Sequence, residues 1–390
     1  MEKGFMSWNS ASIRALRLLV LGLTLAGLLA LGLLGWEALR TWRQGPILIG
    51  FSGQLTGRYS DLGVQGRNGA QLAVEHINAA GGVLARPLRL LALDDLNTPE
   101  GALAADKALI DAGVVAIVGH MTSSQSMAAL PLVNQTRTVL FSPTTSTPLL
   151  AGLPDHFFRN SPLSDQGAAL LAEHVLALGH ARVAVVCDKR NAEYSLPYAE
   201  AFTAHLQKLG GTLVQQVALD PGSPDANDAG LRELADQSVE ALLIIASARD
   251  TASLAQHVAT LLPRARLLTT EWACSEALLR HGGQQVENML ISVPSLMGKT
   301  TPALDSFSHS FFIRFGNRPT FAAERSYAAV FILAEALRHC QGTRDGLPKA
   351  LLAIRNFHTL SGTLSLDEYG DVVSEAVIMR VKDGRFALVE

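Results

Sequence analysis

Between residues 47 and 293 the chain alternates short apolar runs with longer amphipathic ones. The runs 47–52 (ILIGFS), 88–93 (LRLLAL), 114–118 (VVAIV), 139–141 (VLF), 183–187 (VAVVC), 213–218 (LVQQVA), 241–245 (ALLII), 267–269 (LLT) and 289–293 (MLISV) read as strands. Several are continuously apolar, as strands covered on both faces of a parallel sheet require. Between them lie helical spacings. Asp61 to Ala80 carries Ala70, Ala73, Val74 and Ile77 on one face and stops at Gly81-Gly82, a C-terminal signal. Pro99–Asp111, a stretch from about Ser123 to Gln135, Asp165–Leu178, Pro197–Leu209 and Asp250–Leu262 follow, most closed by Gly or Pro.

Repeated βαβα alternation predicts doubly wound α/β layers. Residues 142–165, rich in Pro, Ser and Thr, interrupt the rhythm, so two sheets are expected, joined near 160–165. After 294 the order changes to helices at Pro302–Asn317, Phe321–Cys340 and Leu347–Arg355, then strands at Thr363–Leu366, Val377–Val381 and Phe386–Val389. Such a tail revisits the first lobe and then the second. The expected division is 46–163 plus about 294–358 for the first lobe and about 164–293 plus 359–390 for the second.

Ahead of this body, nineteen uncharged residues, LLVLGLTLAGLLALGLLGW, run from 18 to 36. As a helix they would be roughly 28 Å long, close to a hydrocarbon core. Trp36 and Trp42 sit where interfacial aromatics are expected. A signal peptide has a shorter apolar region ending in small residues, whereas this run ends LGLLGWEALRTW and no Cys follows it for lipidation. The two leading readings are an uncleaved anchor, with residues 1–17 cytoplasmic, and a cleaved signal, ahead of a buried helix of a soluble protein. Both place the body outside the cytoplasm.

Lys and Arg total 32 against 35 Asp and Glu, which gives no support for nucleic-acid binding. Cys187, Cys274 and Cys340 lie far apart, without the spacing of a metal site or a disulfide framework. No phosphate loop, G-x-G-x-x-G, H-E-x-x-H or G-x-S-x-G is present. No cofactor or metal is implied, and an enzyme becomes the less favoured class.

Ligands of open α/β sheets bind beyond the carboxyl ends of the strands. After Val118 comes Gly119-His120-Met121-Thr122-Ser123-Ser124-Gln125-Ser126, with four hydroxyls in five positions at a helix start. One N-cap needs one hydroxyl, and hydroxyls with free amides at a helix N-terminus suit an anion. After Phe141 comes a second hydroxyl-rich turn, Ser142-Pro143-Thr144-Thr145-Ser146-Thr147, which reads equally as a polar loop between prolines. Glu271 is the one carboxylate near the end of 267–269, with Trp272 beside it. A carboxylate opposite such a nest suits a zwitterion, and a solvated Glu on a loop is the alternative reading.

These residues also form an ordered pattern from Ile47 to about Val389. It comprises Ser52-Gly53, Tyr59-Ser60-Asp61-Leu62-Gly63, Gly69-Ala70, Ile77 to Val83 and Asp94-Asp95. Gly119-His120 with Ser123-Ser124, Ser142-Pro143, Arg159 with Asp165-Gln166-Gly167, Asp188-Lys189 and Glu271 continue it. In this the chain resembles the type I periplasmic binding proteins of the leucine/isoleucine/valine-binding class. The resemblance implies two Rossmann-like lobes joined by crossovers, a ligand in the cleft and no chemistry. It implies that Ser123 (with Ser124 beside it), Thr144 and Ser146 hold an α-carboxylate and that Glu271 holds an α-ammonium. Tyr194 would cover the ligand, with Leu62 or Tyr59 and Trp272 along its side chain. Departures are visible too. Small residues, Ala246-Ser247-Ala248, stand where members often carry an aromatic, implying a larger or differently shaped pocket. Longer spacing around Tyr194 makes Tyr198 a second candidate, and Thr122 occupies one position of a cysteine pair that some members have. The expectation is an extracytoplasmic protein that captures an amino acid or related zwitterion for an ABC-type permease. The alternative is a sensing subunit for an amide, urea or short peptide that signals to a membrane partner.

Overall fold

The computed structural model describes residues 45–389 except 58–59, 221–223 and 299–300, with scattered positions between 19 and 32. The expected span 18–36 lies mostly outside these residues. Among the described residues no helix is long and apolar enough to cross a membrane.

The first sheet is parallel and ordered β2-β1-β3-β4-β5. Its strands are β1 (Ile47–Gly53), β2 (Leu88–Asp94), β3 (Ala116–Val118), β4 (Val139–Ser142) and β5 (Phe157–Arg159). Helices α1 (Asp61–Ala79), α2 (Pro99–Asp111) and α3 (Ser123–Thr136) make the crossovers that parallel neighbours need. The second sheet is ordered β14-β13-β10-β9-β8-β6-β7. Strands β6 (Arg182–Asp188), β7 (Thr212–Leu219), β8 (Ala241–Ile245), β9 (Arg266–Thr270) and β10 (Leu290–Pro294) are parallel, and β13 (Ala376–Lys382) and β14 (Arg385–Leu388) are antiparallel. Its helices are α4 (Asp165–Ala177), α5 (Ala192–Lys208), α6 (Pro224–Glu233), α7 (Ala248–Leu261) and α8 (Glu276–Gly282).

Between β10 and β13 the chain returns to the first core through α9 (Pro302–Phe315), α10 (Phe321–His339), α11 (Leu347–Ala353) and a hairpin of β11 (Phe357–Thr359) and β12 (Gly362–Leu364). Helix α10 is buried along most of its length and packs on α1. The approach is close: a Cβ on Gly69 of α1 would lie 2.0 Å from the Ala323 carbonyl oxygen. The hydropathy pattern puts the return to the second lobe near 359. The packing places it later, because Phe357, Leu364, Leu366 and Val372 join the core of Ile49, Phe51 and Val118. The pattern also omits β5, β11, α6 and α8, which are three to ten residues long, too short for periodicity to declare itself. Helix α5 begins at Ala192 and carries Pro197 in its interior, where the pattern uses that proline as a start signal.

Two buried polar clusters fix the backbone around the cleft. Arg159 is fully buried at the end of β5. Its Nε donates to Asp371 Oδ1 at 2.6 Å and its Nη1 to the Thr147 carbonyl at 2.7 Å, while Asp371 Oδ2 accepts from Gly152 N at 2.8 Å. One ion pair thus ties the end of the first sheet to the segment that leads back to the second. The other cluster surrounds His120, also fully buried. Its Nδ1 lies 2.8 Å from Asp95 and its Nε2 3.1 Å from Asp106. Burial opposes the charge on the ring, but the two carboxylates outweigh it and push the imidazole up to about 10. The His120 carbonyl accepts from Ser142 Oγ at 2.7 Å, which couples the loops after β3 and β4.

Asp371→Asn leaves the Arg159 guanidinium buried without its counter-charge, and a loss of about 3–5 kcal/mol is expected, read as a lower urea midpoint. His120 titrates near 6.5 when unfolded and at about 10 when folded. Its contribution is therefore complete below pH 6.5 and disappears as the pH rises toward 10. The difference in Tm between the wild type and His120→Gln, followed from pH 6 to 10, should shrink across that window; a constant difference contradicts a charged ring.

Candidate ligand site between the lobes

Strands β3 and β4 of the first sheet and β6, β8 and β9 of the second release their chains toward a common cleft. The expected residues meet there. Leu62, Ser123, Thr144 and Ser146 from the first lobe and Tyr194, Glu271 and Trp272 from the second line one cavity of about 300 Å³. Thr122 and three residues that the sequence pattern did not single out, Met121, Asn191 and Phe321, complete its wall.

The hydroxyls divide into two groups. Ser142 Oγ donates to the His120 carbonyl and accepts from Thr145 N at 3.0 Å. Thr144 Oγ1 donates to the Met121 carbonyl at 2.8 Å, Thr145 Oγ1 pairs with Ser126 Oγ at 2.7 Å, and Thr147 Oγ1 accepts from Leu149 N at 3.2 Å. These groups hold the two turns in shape. Thr144 lines the cavity with its proton already committed. Ser123 and Ser146 are buried, and among the described residues their hydroxyls make no hydrogen bond. They are the wall's available donors. Thr122, the N-cap of α3, makes no side-chain cap bond.

Ser124 does not join them. Its amide donates to Asn191 Oδ1 at 3.2 Å and its hydroxyl to Glu193. Asn191 and Glu193 belong to the second lobe, so Ser124 links the lobes beside the cavity. Tyr59 lies outside the described residues. Tyr194, rather than Tyr198, lines the cavity. Its ring stands edge-on to Trp272 with centroids 5.8 Å apart, and burial holds its phenol well above the ordinary value. Tyr198 lies one turn on, with its hydroxyl 2.5 Å from Ser292 Oγ, and borders a neighbouring pocket.

Glu271 is where the geometry departs furthest from expectation. Its Oε1 accepts from Nη2 of Arg325, which comes from α10 in the first lobe, and Arg325 Nη1 donates to Ser161 Oγ at 3.0 Å. Burial raises the Glu271 carboxyl, and Arg325 opposes that rise. The pair crosses the cleft. Oε2 has no hydrogen bond among the described residues. Arg325 was legible only as one of two adjacent charges, with Glu324, in the largely apolar stretch FAAERSYAAV. Its direction is a property of the packing of α10 on α1.

A second cavity of about 800 Å³ adjoins the first and shares Leu62, Met121, Thr122, Trp272 and Phe321 with it. Ser247 and Ala248, the small residues after β8, line it. An aromatic side chain there would occupy part of this space.

Comparison with known proteins accords with this geometry. The family model for periplasmic binding proteins matches residues 46–385. A Leu/Ile/Val-binding protein homolog of Brucella melitensis is 27% identical over 88% of this chain and 94% of its own. An amino acid binding protein of Pseudomonas aeruginosa is 26% identical over 92% and 96%. The crystal structure of the leucine binding protein LivK of Thermotoga maritima superposes with a TM-score of 0.79 at 25% identity, covering 88% of this chain and 98% of that one. Proteins of this family bind solutes outside the cytoplasm and are not enzymes. With nearly the whole body matched and polar groups of both lobes facing one cleft, the chain belongs to the type I periplasmic binding proteins, in the Leu/Ile/Val-binding class.

Proposed function

We propose that this solute-binding protein captures an amino acid or a related small zwitterion between its lobes by hinge closure and presents it to an ABC-type permease. The observation that carries the reading is the meeting of Ser123 and Ser146 with Glu271 and Tyr194 around one cavity of about 300 Å³. Ser123 and Ser146 donate to the α-carboxylate. The α-ammonium donates to Glu271 Oε2, while Arg325 remains on Oε1. Tyr194 and Trp272 cover the ligand from the second lobe.

Micromolar affinity requires only about 8 kcal/mol, within reach of charge-assisted hydrogen bonds at both ends of a zwitterion in a dry cleft. The ligand touches both lobes, so it favours the closed arrangement in proportion to its extra contacts there. The Pseudomonas and Thermotoga relatives, named as an amino acid binding protein and a leucine binding protein, and the Brucella homolog of Leu/Ile/Val-binding proteins support the ligand class. The uncharged run 18–36 supports attachment to the cytoplasmic membrane by an uncleaved N-terminal helix.

Glu271→Gln removes the acceptor charge for the ammonium. Calorimetry with the best-binding amino acid should show a loss of about 2 kcal/mol or more, roughly thirtyfold in Kd. An unchanged Kd ends the ammonium assignment. The full chain should pellet with membranes and be released by detergent but not by alkaline carbonate. Release by carbonate contradicts a spanning anchor.

A further inference from the structure

The N-terminal segment meets the first lobe on the face opposite the cleft. Arg86 Nε donates to the Gly45 carbonyl there at 3.0 Å. Strands of a parallel sheet all start along one edge, and Ile47, Leu88, Ala116, Val139 and Phe157 begin the five strands on this face. The end of α10 lies on it too: a Cβ on Gly342 would stand 3.4 Å from Ile47 Cδ1 and 3.6 Å from Arg86 Nη1. Arg344 donates to the Thr136 carbonyl, which brings in the end of α3. In the whole chain Asp and Glu outnumber Lys and Arg by 35 to 32, yet this face is rich in cations. Arg86, Arg89, Arg137, Arg338 and Arg344 are spread over it. Asp155 and Asp345 stand among them, and Asp111 is held by Lys107 at 2.7 Å. Arg89 and Arg137 are exposed, and their side chains make no hydrogen bond among the described residues. Arg137 and Arg344 add to burial in holding the His156 imidazole below its ordinary value. The turn closed by Val83 and Arg86 carries Leu84 at its tip, 44% exposed.

We propose that this face of the first lobe docks on the anionic phospholipid headgroups of the membrane that holds the N-terminal span. The inference rests on the anchored reading of residues 18–36 given above. Ten residues, 37–46, join that span to β1, and such a stretch reaches at most about 36 Å. The tether therefore keeps the face within reach of the bilayer, and its own Arg40 and Arg43 against Glu37 extend the positive charge. Guanidinium groups pair with phosphate in two-pronged fashion, and an anionic lipid surface attracts clustered cations. Leu84, an apolar tip flanked by arginines, suits the boundary between headgroups and acyl chains. A zwitterionic surface would keep the tether but lose the field that orients the lobe.

Fluorescence quenching on the full chain tests this. The dye is carried by Gln341→Cys on the face, or by Lys208→Cys at the far end of α5 in the second lobe. Both are made in a Cys340→Ala background, where Cys187 and Cys274 are buried. The chain is reconstituted into vesicles of phosphatidylcholine alone or mixed equally with phosphatidylglycerol, each with a nitroxide quencher on the headgroups. Quenching at position 341 should be about twofold or more stronger in the anionic vesicles and fall back in high salt, with position 208 unchanged. Arg89→Glu combined with Arg137→Glu should remove the increment. Equal quenching at 341 in the two lipids, or an increment shared by 208, overturns the docking face. Flotation with phosphatidylcholine vesicles reads the anchor separately. A chain that fails to float overturns the anchor and this inference with it; one that floats without the increment overturns the docking face alone. The lipid comparison is made with all five arginines in place, so it does not depend on whether the double variant folds.

Discussion

A carboxylate on the floor of a water-poor cleft needs a cation, and at Glu271 that cation comes from the opposite lobe. Arg325 reaches it from α10, a helix held against α1 by a contact so close that Gly69 has no room for a side chain. The charge balance of the site is therefore also a contact between lobes. Anything that enters to share Glu271 meets a site already assembled from both halves. The same holds at the rim, where Ser124 engages Asn191 and Glu193. In the proposed function, closure and recognition would draw on the same residues, so a ligand that satisfies both walls would bias the hinge without a separate device.

Behind this surface the first lobe devotes much of its polar capacity to shape. Ser142, Thr144, Thr145 and Thr147 hold turns, and His120 sits between Asp95 and Asp106 beneath them. A charged ring bracketed by two carboxylates lets a polar loop lie over a buried core, in keeping with the general rule that buried charges are paired. Ser123 and Ser146 remain as donors because their neighbours have taken the structural work. Supports of this kind keep these two hydroxyls in one place, which on the proposed function limits the entropy lost when a small ligand is held.

Much of this was legible in the residues. Continuous apolar runs such as ALLII became strands at the centre of a sheet, and glycine-terminated helices ended where their glycines stood. The strand ends carrying hydroxyls and Glu271 converged as the rule for open sheets requires. Short elements escaped: FFR at β5 and HGG around the end of α8 have no period to detect. Ser123 and Ser124 are neighbours of one chemistry, yet only one lines the cavity, because a helix turns its side chains by about 100° per residue.

The sequence by itself determined the alternation of layers, the polar character of the strand ends and the one carboxylate near the end of β9, because period and residue chemistry are local properties. Only the tertiary structure decided that Arg325 would be its partner and that Tyr194 rather than Tyr198 would line the cavity. Those relations join residues far apart in the chain. They are set by how α10 packs on α1 and by how the two lobes meet, which no local pattern encodes.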